Sequence, residues 1–193
     1  MKRIENIKTL LLKAAFIIAT LLGTESCNNS QNTRDTSTNI DSIKPDTAKI
    51  RKDIQFLVRV AGINMEEIKL GQLAQQKGTI TDVKDMGKMM EDDHTKAESD
   101  LTALALKKSI TLPIALDSTA QSDYQKLNNL SGSDFDKKYS GMMVKGHTVA
   151  IDLFEKESVD AGDSEIRQMA IATLPTLQKH LNDALACQKE CEK

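Results

Sequence analysis

The spacing of apolar residues across four long segments constrains this chain more than any other feature. Between Thr81 and Lys108, the row Val83, Gly87, Met90, His94, Ala97, Leu101 and Leu104 advances in alternating steps of four and three. That alternation is the seam of a helix packed in a bundle. From about Lys49 to Gln76 two rows recur at helical spacing. One is Ile54, Val58, Ala61, Met65 and Ile68; the other is Phe56, Val60, Ile63, Glu67, Leu70 and Ala74. A third segment, from the break at Ser131–Asp134 to about Ala161, carries Tyr139, Met143, His147, Ala150 and Phe154. A fourth runs from Asp163 to about Glu190 with Ile166, Ala170, Thr173, Leu177, either His180 or Leu181, and then Ala184 inward. Pro175 lies inside it without the N–H its turn needs, so a kink is expected there. Composition agrees with helices. With 9 Gly, 3 Pro, no Trp, 2 Tyr and 4 Phe in 193 residues, a β-sandwich or barrel would lack both turn residues and large strand side chains.

The joins set the topology. Lys77-Gly78 ends the first helix, Thr81 is read as the cap of the second, and Gly162-Asp163 separates the last two. These tight joins make two antiparallel hairpins. The link from Ser109 to Ser133 begins extended, because Pro113 disfavours helix in the residue before it, and then forms a short helix from the Asp117-Ser118 cap to Leu130. Helices of about 27 residues are roughly 40 Å long, and this link can cross that length. Two hairpins joined by a long crossover define an all-α, ferritin-like four-helix bundle over residues 49–193, with a short extra helix in the crossover.

The start of the chain reads as an address. Lys2, Arg3, Lys8 and Lys13 precede an apolar stretch, Ala14–Gly23, too short to span a bilayer as a helix, which takes about 20 residues. Residues 1–26 are expected to be an export signal. Cys27 follows in Leu22-Gly-Thr-Glu-Ser-Cys27, which resembles the lipobox of bacterial lipoproteins, where such a cysteine is lipidated. Ser26 fits that pattern, whereas Thr24 and Glu25 depart from it; cleavage of an ordinary signal near Ser26 is the alternative. Lipidating Cys27 leaves Cys187 and Cys191 as an even pair. Spaced four apart near the end of the last helix, they read as a disulfide, a two-thiolate metal clip or solvated free thiols. Residues 27–48 hold almost no large apolar groups and read as a disordered tether. The expected location is the cell envelope, on the outer membrane or its periplasmic face, with the membrane as partner through the lipid anchor. Net charge is −2 with lysines scattered, which excludes the electrostatic footprint of a nucleic-acid binder.

Six stretches carry a family resemblance. They are Phe56–Lys77, Met89-Met-Glu-Asp-Asp-His-Thr-Lys-Ala97, Ile110-Thr-Leu-Pro113, Met143-Val-Lys-Gly-His147, Phe154-Glu-Lys-Glu157 and Thr173-Leu-Pro-Thr-Leu-Gln-Lys-His180. Together they span about residues 53–186, and their order and spacing resemble the exported bacterial family called domain of unknown function 4142, whose members carry an outer-membrane label. The resemblance implies a ferritin-like bundle in the envelope and no established activity. Gly146 departs from the acid that the family favours before the third-helix histidine.

The chain has three histidines, His94, His147 and His180, each on or beside the inward row of a different helix and near its middle. Glu67 adds a carboxylate from the first helix. Glu91-x-x-His94 matches half of a carboxylate di-iron motif, but His147 and Leu177 stand where the other helices would need acids, so a di-iron centre is undersupplied. A single transition-metal ion held by Glu67, His94, His147 and His180 is one reading, suited to zinc, iron, manganese or copper. The other is a polar layer that sets helix register, each histidine bonded to a neighbour such as Glu67, Asp93 or Tyr139. Met90 and Met143, one turn before His94 and His147, are either copper-type thioethers or core filling. No phosphate-cradling glycine loop, Gly-x-Ser-x-Gly, His-Glu-x-x-His or Cys-x-x-Cys-His appears. The sequence therefore favours a non-catalytic, lipid-anchored envelope protein, with a ferritin-like metal-binding protein or metal-dependent oxidase as the alternative.

Overall fold

The computed structural model describes residues 46–193; the expected signal at 1–26, Cys27 and the tether up to residue 45 lie outside the described residues. Among the described residues all the regular structure is helical: α1 (Thr47–Lys77), α2 (Thr81–Lys107), α3 (Ser118–Asn128), α4 (Gly132–Asp160) and α5 (Ser164–Cys191). α1 begins two residues before the expected Lys49, because Asp46 Oδ1 accepts the amides of Ala48 at 3.0 Å and Lys49 at 3.3 Å. The end of the expected tether, Thr47 and Ala48, is therefore helical. Ile80 occupies the cap of α2, so Thr81 is its first helical residue rather than its cap. α3 stops at Asn128, two residues before the expected Leu130, and α5 is continuous through Pro175. Among the described residues no helix is long and apolar enough to cross a membrane.

Each hairpin turn is held by a buried carboxylate from the opposite hairpin. Asp53, near the start of α1, accepts the amides of Gly162 at 3.0 Å and Asp163 at 2.8 Å in the α4–α5 turn. Asp136, near the start of α4, accepts the Thr79 amide at 3.0 Å and the Thr79 hydroxyl in the α1–α2 turn. These clamps place the start of α1 beside the end of α4 and the end of α1 beside the start of α4, so the two helices are antiparallel. α2 is antiparallel to α1, so α2 and α4 run the same way. The link between them must cross the bundle, and α3 lies in that link. This is the ferritin-like arrangement.

α1 packs along α2 and α4 along α5, while α1 faces α4 and α2 faces α5. The α1–α2 approach is closest at two glycines. A Cβ on Gly71 would lie 2.6 Å from the Gly87 carbonyl oxygen, and one on Gly87 would lie 2.7 Å from that of Gly71. Of the two apolar rows of α1, the one carrying Phe56, Val60, Glu67, Leu70 and Ala74 is buried, together with Leu57, Ala61 and Asn64. Ile54 and Val58, from the other row, are each 37% exposed. α1 is apolar on two faces, and its neighbours cover only one stripe.

The core divides into two apolar clusters. One gathers Phe56, Leu57, Leu101, Phe154, Ile166 and Leu177. The other gathers Leu70, Met86, Met90, Tyr139, Met143 and Cys187. Between them along every long helix lies a buried polar layer: Asn64 and Glu67 on α1, His94 on α2, His147 on α4 and His180 on α5.

Candidate metal centre

Helical register and the end clamps bring the three histidines to one height, where all are buried, with 4%, 1% and 1% exposure for His94, His147 and His180. One nitrogen from each lies within 4.8 Å of the others. Ring centroids are 5.2 to 5.8 Å apart. The sequence places these residues on three different helices, and the structure brings them together. Glu67 shares their layer but is not among the side chains that converge within that distance.

The outward nitrogen of each ring faces an oxygen. His147 Nδ1 is 2.9 Å from the Met143 carbonyl, which can only accept, so that nitrogen carries its proton. His180 Nε2 is 2.9 Å from Asp93 Oδ2, again an acceptor. His94 Nδ1 is 3.0 Å from Asn64 Oδ1. The Asn64 amide is oriented by its own donor bond to Glu98 Oε2 at 3.1 Å, which leaves the carbonyl side for His94. Inside the cluster His147 Nε2 and His180 Nδ1 stand 3.3 Å apart, and His94 Nε2 has no partner.

Burial favours the neutral form of His94 and of His147. Desolvation, reinforced by the other two histidines, lowers His94 to about 3. Desolvation lowers His147 to about 4, with the Met143 carbonyl opposing the shift. A neutral imidazole has one N–H. When each proton is spent on its outer oxygen, the three inner nitrogens are bare acceptors.

A cavity of about 420 Å³ opens beside this cluster. His94 and His180 line it, Leu101, Phe154 and Leu177 form apolar walls, and Asp93 stands at its edge. His147 does not line it.

The other residues singled out by the sequence lie elsewhere. Glu91 accepts from Gln72 at 2.8 Å and Gln75 at 2.6 Å on the α1–α2 surface, so the Glu91-x-x-His94 spacing supplies no carboxylate to the cluster. Met90 and Met143 are fully buried in the apolar cluster next to the polar layer. Cys187 and Cys191 are free thiols, and both are buried rather than solvated, because the last turns of α5 pack onto that same cluster. Burial, together with the neighbouring Cys191 thiol, pushes Cys187 up to about 12. Gly146 leaves His147 fully served, since the Met143 carbonyl takes its outer N–H. Asn64 and Glu98, which hold the outer nitrogen of His94, are not singled out by the sequence pattern. The available signal was an asparagine on the buried face of α1, one turn before Glu67.

The profile of the family described as Domain of unknown function (DUF4142) matches residues 41–187. Among solved structures, the crystal structure of a DUF305 fragment from Deinococcus radiodurans is similar, with a TM-score of 0.64 and 10% identity. The alignment covers 72% of this chain and 96% of that one. At that identity the likeness concerns the fold alone. No curated protein matches the chain. The family match contains α1 to α4, most of α5 and all three histidines, and the chain belongs to the DUF4142 family.

Proposed function

We propose that this protein binds one transition-metal ion through His94 Nε2, His147 Nε2 and His180 Nδ1, with a coordination position left open toward the 420 Å³ cavity. The observation that carries the reading is that the outer nitrogen of each ring faces an oxygen while one nitrogen from each ring converges on the others. With each proton on the outer nitrogen, three imidazoles donate to Asn64, Met143 and Asp93, and three lone pairs converge in a buried layer. A proton placed between His147 and His180 relieves that one contact and leaves His94 Nε2 unpaired. A metal ion satisfies all three.

Outward donation to a carbonyl or carboxylate is how ligating histidines are held in a fixed tautomer and orientation. Metal–nitrogen bonds of 2.0–2.1 Å in a tetrahedron separate the nitrogens by about 3.3 Å. His147 Nε2 and His180 Nδ1 already stand at that separation. Three neutral imidazoles and one open position suit zinc, with copper, iron and manganese as competitors set by availability. The activity proposed is binding rather than turnover. The cavity walls are mainly apolar, and both carboxylates that line it are engaged, Asp93 by His180 and Asp100 by Lys96 at 2.9 Å. The basic N-terminal run, the apolar stretch after it and Cys27 support a lipid anchor that would hold this site in the cell envelope.

Full-length, tag-free protein tests the reading by elemental analysis before and after dialysis against zinc, copper(II), iron(II) or manganese(II). About one equivalent of one of these ions, lost in His94→Leu, is expected. Less than about a tenth of an equivalent of every ion overturns it. Metabolic labelling with a clickable palmitate tests the anchor, and the absence of label that depends on Cys27 removes it.

A further inference from the structure

A second buried polar group lacks a partner on the other side of the polar layer. Glu67 is 6% exposed, and its Oε2 has no hydrogen-bond partner. It forms part of the floor of a groove of about 610 Å³ that runs between α1, α3 and α4 and includes none of the three histidines. Gly146 belongs to the same floor, and a Cβ there would stand 3.1 Å from Glu67 Oε1. The missing side chain thus leaves Oε1 uncovered toward the groove, while Oε2 is sealed beneath it. Burial raises Glu67 to about 8, so at neutral pH the group is mainly the neutral acid, whose O–H is a donor without an acceptor.

The rim supplies the charge. Arg59, Lys137, Lys138 and Lys145 line the groove, and among the described residues none of them is in an ion pair. Lys126 is paired with Asp123 at 2.8 Å, and Glu66 is the remaining acid. A concave site lined by an excess of cations concentrates anions. A neutral carboxyl at its floor offers an oxyanion the hydrogen bond that a carboxylate would refuse.

We propose that this groove is a second binding site, separate from the metal centre, for a small molecule bearing an oxyanion, with Glu67 as the donor at its floor and Arg59, Lys137, Lys138 and Lys145 at its rim. The site fits a sulfate- or phosphate-like tetrahedral group or a carboxylate; the test separates them.

Isothermal titration calorimetry of the metal-free full-length protein with sulfate and with succinate reads the affinity directly. Saturable binding of about one anion per chain is expected, and the tighter of the two identifies the group. Glu67→Gln retains a donor at the same place and is expected to bind within about threefold of wild type. Gly146→Leu fills the floor and should weaken binding about tenfold or more, which is ~1.4 kcal/mol. Lys137→Ala with Lys138→Ala should weaken it and reduce its salt dependence. Glu67→Leu removes the donor without adding bulk to α4; it should also lose binding, which keeps the test decisive if Gly146→Leu does not fold. Absence of saturable binding of both anions overturns the proposal. So does wild-type affinity in Gly146→Leu or in Glu67→Leu, which would place the anion on surface lysines instead.

Discussion

Replacing His94 with leucine separates a metal centre from a polar layer that only sets register. In the metal-free protein the substitution removes the unpaired Nε2, a buried orphan that costs about 1–3 kcal/mol. It also removes the donor to Asn64 Oδ1, creating a new orphan of similar cost, although Asn64 keeps its bond to Glu98. The two changes nearly cancel, so metal-free wild type and variant should melt within a few degrees of each other. With metal present they should diverge. At free metal about 1,000 times Kd, linkage stabilises the native state by about 4 kcal/mol. For a folded part of this size, each kcal/mol moves Tm by roughly 2–4 °C. Wild type should therefore gain about 8–16 °C, and His94→Leu a few degrees at most. Differential scanning fluorimetry with zinc, after treatment with a chelator, makes the measurement. Equal Tm gains in wild type and variant, or none in either, would refute the reasoning.

Other consequences follow from single side chains. Glu67 titrates near 8 in the fold against about 4.5 unfolded, so its contribution is fully present below pH 4.5 and is lost as pH rises toward 8, at up to about 1.4 kcal/mol per unit. Glu67→Gln should flatten that decline in urea unfolding measured from acid to neutral pH; an unchanged slope would place the titration elsewhere. Gly71→Ala drives a methyl to within 2.6 Å of the Gly87 carbonyl and should cost about 1–3 kcal/mol by forcing α1 and α2 apart, visible as a lower urea midpoint. Cys187 and Cys191 should react with a thiol reagent only as fast as the end of α5 opens at mildly alkaline pH, and at once in denaturant; rapid labelling of the native protein would contradict their burial.

The parts of this architecture that were legible in the sequence are those carried by a one-sided pattern. The alternating row of α2 turned Val83, Met90, His94 and Leu101 inward, because the other face of that helix is charged. α1 offered two apolar rows, and only the packing partners decide between Phe56–Val60 and Ile54–Val58. The end clamps were not legible, because Asp53 and Asp136 are residue types that normally face water. Their burial depends on turn amides supplied by residues more than fifty positions away. The three histidines were legible as residues at mid-height on inward rows. What that reading lacked was lateral position: Glu67 sits at the height of the cluster but at the α1–α4 groove. The tautomers rest on Asn64, the Met143 carbonyl and Asp93, and a backbone carbonyl leaves no mark on a sequence pattern.

X-ray absorption at the zinc edge of protein loaded with one equivalent tests the central claim most directly. Bound zinc should show three imidazole nitrogens and one light oxygen ligand at about 2.0–2.1 Å, with one imidazole lost in His94→Leu. Sulfur scattering at about 2.3 Å, or fewer than three imidazoles in wild type, would contradict it.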